Sequence, residues 1–258
     1  MDIIKSTDER YREYEKLLLE RDNYRCLAEQ YLRAYIREFG QLMTDSFEKK
    51  ISCIEKKKTI AFCQMYANRG EPVDLNALNG YITAEMAEYR KQLDAMIANN
   101  NACKSKGTVS ESERMQIKQI YRNIAKRFHP DIFPATAEND KLRELWNRVV
   151  SAYNRNDLKE ISELEILVSK AIESEGGNYD NIDIPDIEDR IAEIEKEIND
   201  IISTDPYRYK HLLEDDAFVA EKKAELQREI DEYTKYEKEL QDILKTFLKN
   251  GATFQWEN

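Results

Sequence analysis

Glycine and proline are scarce in this chain: 258 residues hold only 7 Gly and 5 Pro. Turn-rich sheets and disordered tails draw heavily on both residues, so neither is expected to dominate the architecture. Cys26, Cys53, Cys63 and Cys103 include no CxxC pair. That spacing argues against a zinc site and for reduced, partly buried thiols in a cytoplasmic protein. No stretch reaches the roughly 20 apolar residues of a membrane span, and MDIIKSTDERYREYEK lacks the apolar core of a signal peptide. There are two histidines, His129 and His211, with no glycine-rich phosphate loop, activated nucleophile or metal cluster beside them. No enzyme activity, cofactor or metal is therefore expected. Nor is there an excess of positive charge. The net charge is −11, so binding to nucleic acid or an anionic membrane is not expected without a local basic patch.

What is present is charge and helical periodicity. Charged residues make up 35% and hydrophobic ones 41%, a composition that suits long helices with charged faces and predicts an all-α fold. Ser6 and Glu9 stand at capping-box spacing before a helix over about 7–39, where Gly40 offers a stop or a kink. Met43, Phe47, Ile51, Ile54 and Ala61 stripe a second helix over about 42–67. Its Lys49-Lys50 and Lys56-Lys57-Lys58 runs read as a charged face beside an acidic helix. Asp74 is placed to cap a third helix over about 75–99, with Leu78, Ile82, Met86, Tyr89, Leu93 and Met96 on one side.

The segment from Ser110 to Asp131 stands apart. Ser110 and Glu113 form a second capping box, and Ile117, Tyr121, Ile124 and Phe128 follow at steps of four, three and four. Arg114, Lys118, Arg122 and Lys126 step by four along a neighbouring flank, with Arg127 on the other side and no carboxylate between them. Pro130 disfavours helical geometry at His129, so the helix should end at about Phe128. After a loop, Leu142, Trp146, Val149 and Tyr153 make a matching stripe, and the two helices should pack antiparallel. Asp157 and Glu160 open a further helix, with Leu158, Ile161, Leu164, Val168 and Ala171 inward. Gly176-Gly177 then begins a polar linker. Ile187, Ile191, Ile194, Ile198 and Ile201 keep a strict 4-3-4-3 seam, and the pattern resumes from Tyr207 to about Leu248, predicting a coiled-coil-like hairpin. The excess length of the last helix needs another surface: the N-terminal helices, for preference, or a second subunit.

Residues 117–131 resemble the second helix and His-Pro-Asp tripeptide of a J-domain, the signature of DnaJ-type co-chaperones. Trp146, Val149 and Ala152-Tyr153 fall where that family's third helix has its aromatic, Ile and Ala-Tyr. The match spans about 110–153, under a fifth of the chain. The family's Tyr-x-x-Leu-Gly-Val first helix is not in place, and the helix over 75–99 is the expected substitute. Ile132 and Phe133 stand where the family often has a basic residue. There is neither a Gly/Phe-rich linker nor a cysteine-repeat zinc module.

The expected organisation is an N-terminal helical segment (1–73), a J-like domain with flanking helices (74–175) and coiled-coil-like helices (176–258). The resemblance implies that His129, Pro130, Asp131, Arg114, Lys118, Arg122, Lys126 and Arg127 dock on a DnaK-type ATPase and stimulate its hydrolysis of ATP. The chain itself would do no chemistry. The flanking helices would serve a client or a targeting protein, and the oligomeric state is open. The alternative is a helical scaffold or adaptor whose J-like fold no longer activates an ATPase.

Overall fold

The structure is a computed structural model that describes residues 9–104, 109–174, 186–249 and 254–255. Its described residues are overwhelmingly helical: α1 (Glu9–Arg69), α2 (Leu75–Lys104), α3 (Glu111–Phe128), α4 (Ala135–Glu138), α5 (Asp140–Asn154), α6 (Leu158–Ser174), α7 (Ile187–Ser203), α8 (Tyr209–Glu214) and α9 (Asp216–Lys249). A two-residue parallel pairing of Val73–Asp74 (β1) with Phe254–Gln255 (β2) is the one exception among the described residues. No helix among them is long and apolar enough to cross a membrane. The capping box expected at Ser6 and the Gly176-Gly177 linker lie outside the described residues.

The chain divides into two compact units that interleave the three consecutive segments expected from the sequence. One unit takes residues 1–33 and 107–211, the other 34–106 and 212–258. In the first, α3, α5 and α6 share a core of Ile117, Tyr121, Ile124, Phe128, Leu142, Trp146, Val149, Tyr153, Ile161, Leu164, Val168 and Ile172. The stripes on α3 and α5 meet as their spacing requires, with Tyr121 stacked on Tyr153 at 4.0 Å. Cys26 and Leu19 of α1 close the same core. The α3–α5 pair is therefore covered by α6 and the first half of α1. The helix over 75–99, given that role from its position in the chain, contributes nothing to this core and belongs to the second unit.

In the second unit, the stripes on α1 and α2 also meet. Ile51, Phe47 and Ile54 pack against Ile82, Met86, Leu78, Tyr89 and Leu93. Asp74 caps α2 as its position predicts, accepting from the Asn76 and Ala77 amides at 2.8 and 3.1 Å. Gly40 neither stops nor caps a helix, because α1 runs unbroken from Glu9 to Arg69. Its use is close approach. A Cβ there would lie 3.0 Å from Ile36 Cγ2 and 3.1 Å from Asn100 Oδ1, where α2 crosses.

The last helices also depart from expectation. The isoleucine seam of α7 belongs to the first unit, where Ile187, Ile191 and Ile194 pack with Tyr11, Tyr14 and Leu18 of α1. α9 lies in the second unit beside α1, so the expected pairing of these two helices as one hairpin is replaced by separate packing on α1. The expected continuous helix from Tyr207 is broken after Glu214, because Asp215 caps α9 by accepting from the Ala217 and Phe218 amides. α9 runs parallel to α1: Glu38 pairs with Lys223, and Ser52 with Glu237. The lysine runs meet an acidic neighbour as their charge suggests. Glu237 accepts from Lys49 at 2.9 Å, Lys56 at 3.0 Å and Ser52 at 2.6 Å.

These three donors hold the Glu237 carboxyl down at about 2, from an ordinary 4.5. A depressed carboxylate stabilises the fold fully above its unfolded value and loses that contribution as pH falls toward its folded one. Glu237→Gln should therefore destabilise the second unit by about 1–3 kcal/mol at pH 7. In urea unfolding the deficit should shrink steadily between pH 4.5 and pH 2. A deficit independent of pH would show that the charge is not what matters.

Candidate partner-binding site

The corner after α3 is built by its backbone. Ser110 and Glu113 form the complete capping box at the helix start, and Phe128 is the last helical residue. His129, restricted by Pro130, takes φ −61° and ψ 135°, while its amide still donates to the Ala125 carbonyl at 3.0 Å. Its own carbonyl then accepts from the Ile132 and Phe133 amides at 2.9 and 2.7 Å. The side chain tightens the same turn, for Nδ1 accepts from the Asp131 amide at 3.1 Å.

The imidazole is not offered to solvent. It is 4% exposed, lies edge-on to Trp146 at 4.9 Å, and points Nε2 toward α1. There Asp22 Oδ2 is 3.8 Å away and Arg21 Nη2 is 3.4 Å away. Burial pushes the imidazole below its ordinary 6.5; Asp22 and Asp131 oppose the shift, and Arg21 and Arg25 add to it. The ring is accordingly neutral at pH 7.

Asp22 is the hub of this contact. It accepts from the Tyr121 hydroxyl at 2.6 Å and from Arg21 at 3.3 Å. Burial, then the Asp22 charge, raises the Tyr121 phenol well above its usual value, so it stays a donor. Arg21 and Arg25 in turn reach Glu197 of α7, at 3.4 and 2.8 Å. Next to this network Ile132 is only 5% exposed, clustered with Tyr11, Tyr14, Leu18, Ile187, Ile191 and Ile194. Burying it is worth about 1.5–3 kcal/mol. Phe133 lies on the other side, against Phe128 and the core of α3, α5 and α6.

The remaining candidate residues are spread along α3. Arg114, Arg122 and Arg127 are exposed and Lys118 is half-buried. Lys126, though exposed, is engaged by Glu15 of α1 at 2.8 Å. Arg127 donates to the Asn123 carbonyl at 3.2 Å. Pro130 and Asp131 are partly exposed, and Asp131 lines a cleft with Tyr14, Arg21, Asp189, Arg190 and Glu193. Arg114 stands fifteen residues before His129, about 22 Å along the helix axis. The flank and the corner are thus two ends of one element rather than one cluster.

Three features of α1 escaped the sequence reading: the carboxylate at Asp22, its neighbour Arg21, and the role of Glu15. A signal did exist. Tyr14, Leu18, Asp22 and Cys26 recur every fourth residue, so a carboxylate sits on an otherwise apolar stripe. All four cysteines are free thiols, and three are buried. Among the described residues no group of His, Cys, Asp and Glu could hold a metal ion. Comparison with protein-family models, curated proteins and solved structures finds no match to the chain.

Removing Asp22 leaves Arg21 and Tyr121 without their buried acceptor. Asp22→Ala should cost about 3 kcal/mol in urea unfolding followed by tryptophan fluorescence. In a double-mutant cycle with Tyr121→Phe, the coupling should be about 1–3 kcal/mol. Additive single effects would show that the two groups do not depend on each other.

Proposed function

We propose that residues 110–153 form a J-like module and that the chain is a co-chaperone for a DnaK-type ATPase. The observation that carries this reading is one element holding both parts of a docking surface. The exposed cations Arg114, Arg122 and Arg127 run along α3, and a proline-fixed His129-Pro130-Asp131 turn closes it. Its support is the register of α3 against α5, with Tyr121 on Tyr153 and His129 on Trp146.

Each part has a physical task. The cations of an otherwise acidic chain attract an acidic protein surface and speed encounter in a salt-dependent way. The rigid turn presents Asp131 with little entropic loss, and its carboxylate suits a bidentate arginine of the partner. Stimulation then follows from binding one conformation of the ATPase better than another. Helices outside the module supply a surface for a client or a targeting protein.

The scaffold reading draws on a different observation, the burial of His129 and Ile132 against α1. In that reading the corner is an internal clasp, and the chain acts as an adaptor without activating an ATPase. Single-turnover ATP hydrolysis by a DnaK-type chaperone separates the two. The co-chaperone accelerates it, loses the effect with rising salt, and loses it wholly in His129→Gln. Equal rates with wild type and His129→Gln would remove the co-chaperone reading and leave the scaffold.

A further inference from the structure

We infer that the first half of α1, with α7, is an intramolecular occupant of the His-Pro-Asp corner that an acidic partner surface must displace before the corner can dock. This rests on the co-chaperone reading above and adds its regulation. Several groups at and beside the corner already meet this chain. Ile132 is enclosed by Tyr11, Tyr14 and Leu18 of α1 and Ile187, Ile191 and Ile194 of α7. His129 faces Asp22 and Arg21, Lys126 is paired with Glu15, and Asp131 opens onto a cleft walled by α7.

The start of the cover is distinct from the module core, which α1 joins only further on, at Leu19 and Cys26. Tyr14, Leu18 and Ile132 belong to a different apolar cluster from the one that holds α3, α5 and α6 together. Its polar contact is mixed: the buried Tyr121 hydroxyl still donates to Asp22 at 2.6 Å, while the rest is at the rim and weak. The Lys126–Glu15 pair involves a half-exposed lysine, and His129 Nε2 stands 3.8 Å from Asp22, beyond hydrogen-bond length. The cover also carries a built-in repulsion. Arg12 and Lys16 of α1 share a cleft with Lys118, Arg122 and Lys126 of α3, against only Glu15 and Glu20. An acidic surface is attracted by the α3 cations, and binding them with α1 displaced removes this repulsion.

The test uses the full chain with Leu18→Asp, which places a charge in the cover and leaves every docking residue intact. Leu18→Ala provides a milder step, and circular dichroism checks that both remain helical. Two readouts are taken: carbethoxylation of His129 by diethyl pyrocarbonate, read by peptide mass, and single-turnover hydrolysis by a DnaK-type ATPase. Reactivity and stimulation should rise together, by about tenfold in Leu18→Asp and less in Leu18→Ala. His129→Gln in the Leu18→Asp background should abolish the gain in stimulation. Equal His129 reactivity in wild type and both variants would overturn the cover. Increased reactivity with unchanged, His129-dependent stimulation would overturn its regulatory role while leaving the co-chaperone reading intact. Increased reactivity with no stimulation by any variant would overturn the co-chaperone reading, and this inference with it.

Discussion

A carboxylate buried between a phenol, a guanidinium and an imidazole ties α1 to the turn that ends α3. Asp22 is 9% exposed and would be costly there alone. Tyr121 and Arg21 donate to it, and burial keeps the nearby His129 ring neutral. Other features of the first unit follow from this placement. With α1 held at Asp22, Leu18 and Tyr14 fall about one and two turns earlier on the same face, where Ile132 and the α7 isoleucines complete their cluster. Arg21 and Arg25 extend the contact to α7 through Glu197. The cluster that includes Ile132 supplies the apolar gain, and the half-exposed ion pairs around it add little.

The local features were legible because they depend on few residues. The capping box at Ser110, the stop at Phe128 and the cap at Asp74 are written in adjacent side chains, and all three are present. The stripes on α3, α5, α6 and α2 also named the buried faces. What a stripe does not contain is the identity of its mate. The α7 isoleucines therefore read as half of a coiled-coil hairpin, whereas Tyr11, Tyr14 and Leu18 cover them. Gly40 read as a stop or a kink for a similar reason. A helical glycine that makes room for Asn100 looks, in sequence, like one that ends a helix.

The candidate site was legible in its residues and not in its exposure. His129, Pro130 and Asp131 form the rigid turn that their sequence implies, and the exposed arginines of α3 lead to it. Ile132 and Phe133, however, stood out only as departures from a family pattern. Their placement gives the departure a physical reason: a basic residue at 132 could not enter the apolar cluster that α1 and α7 form there. An apolar residue at 132 is what lets α1 and α7 cover the turn. A co-chaperone with such a corner would couple its activity to the release of a helix, and an adaptor would use the contact permanently.

Burial of His129 beneath α1 is the claim on which the covered corner rests, and the titration of its imidazole measures it directly. The chain has only two histidines, so a His211→Gln variant assigns the ring resonances in a proton or nitrogen spectrum. The buried ring should titrate below 6.5. Because the folded state then takes up the proton less readily than the unfolded one, stability should also fall as pH drops below 6.5. An imidazole that titrates at or above 6.5, with stability unchanged across that range, would contradict the account.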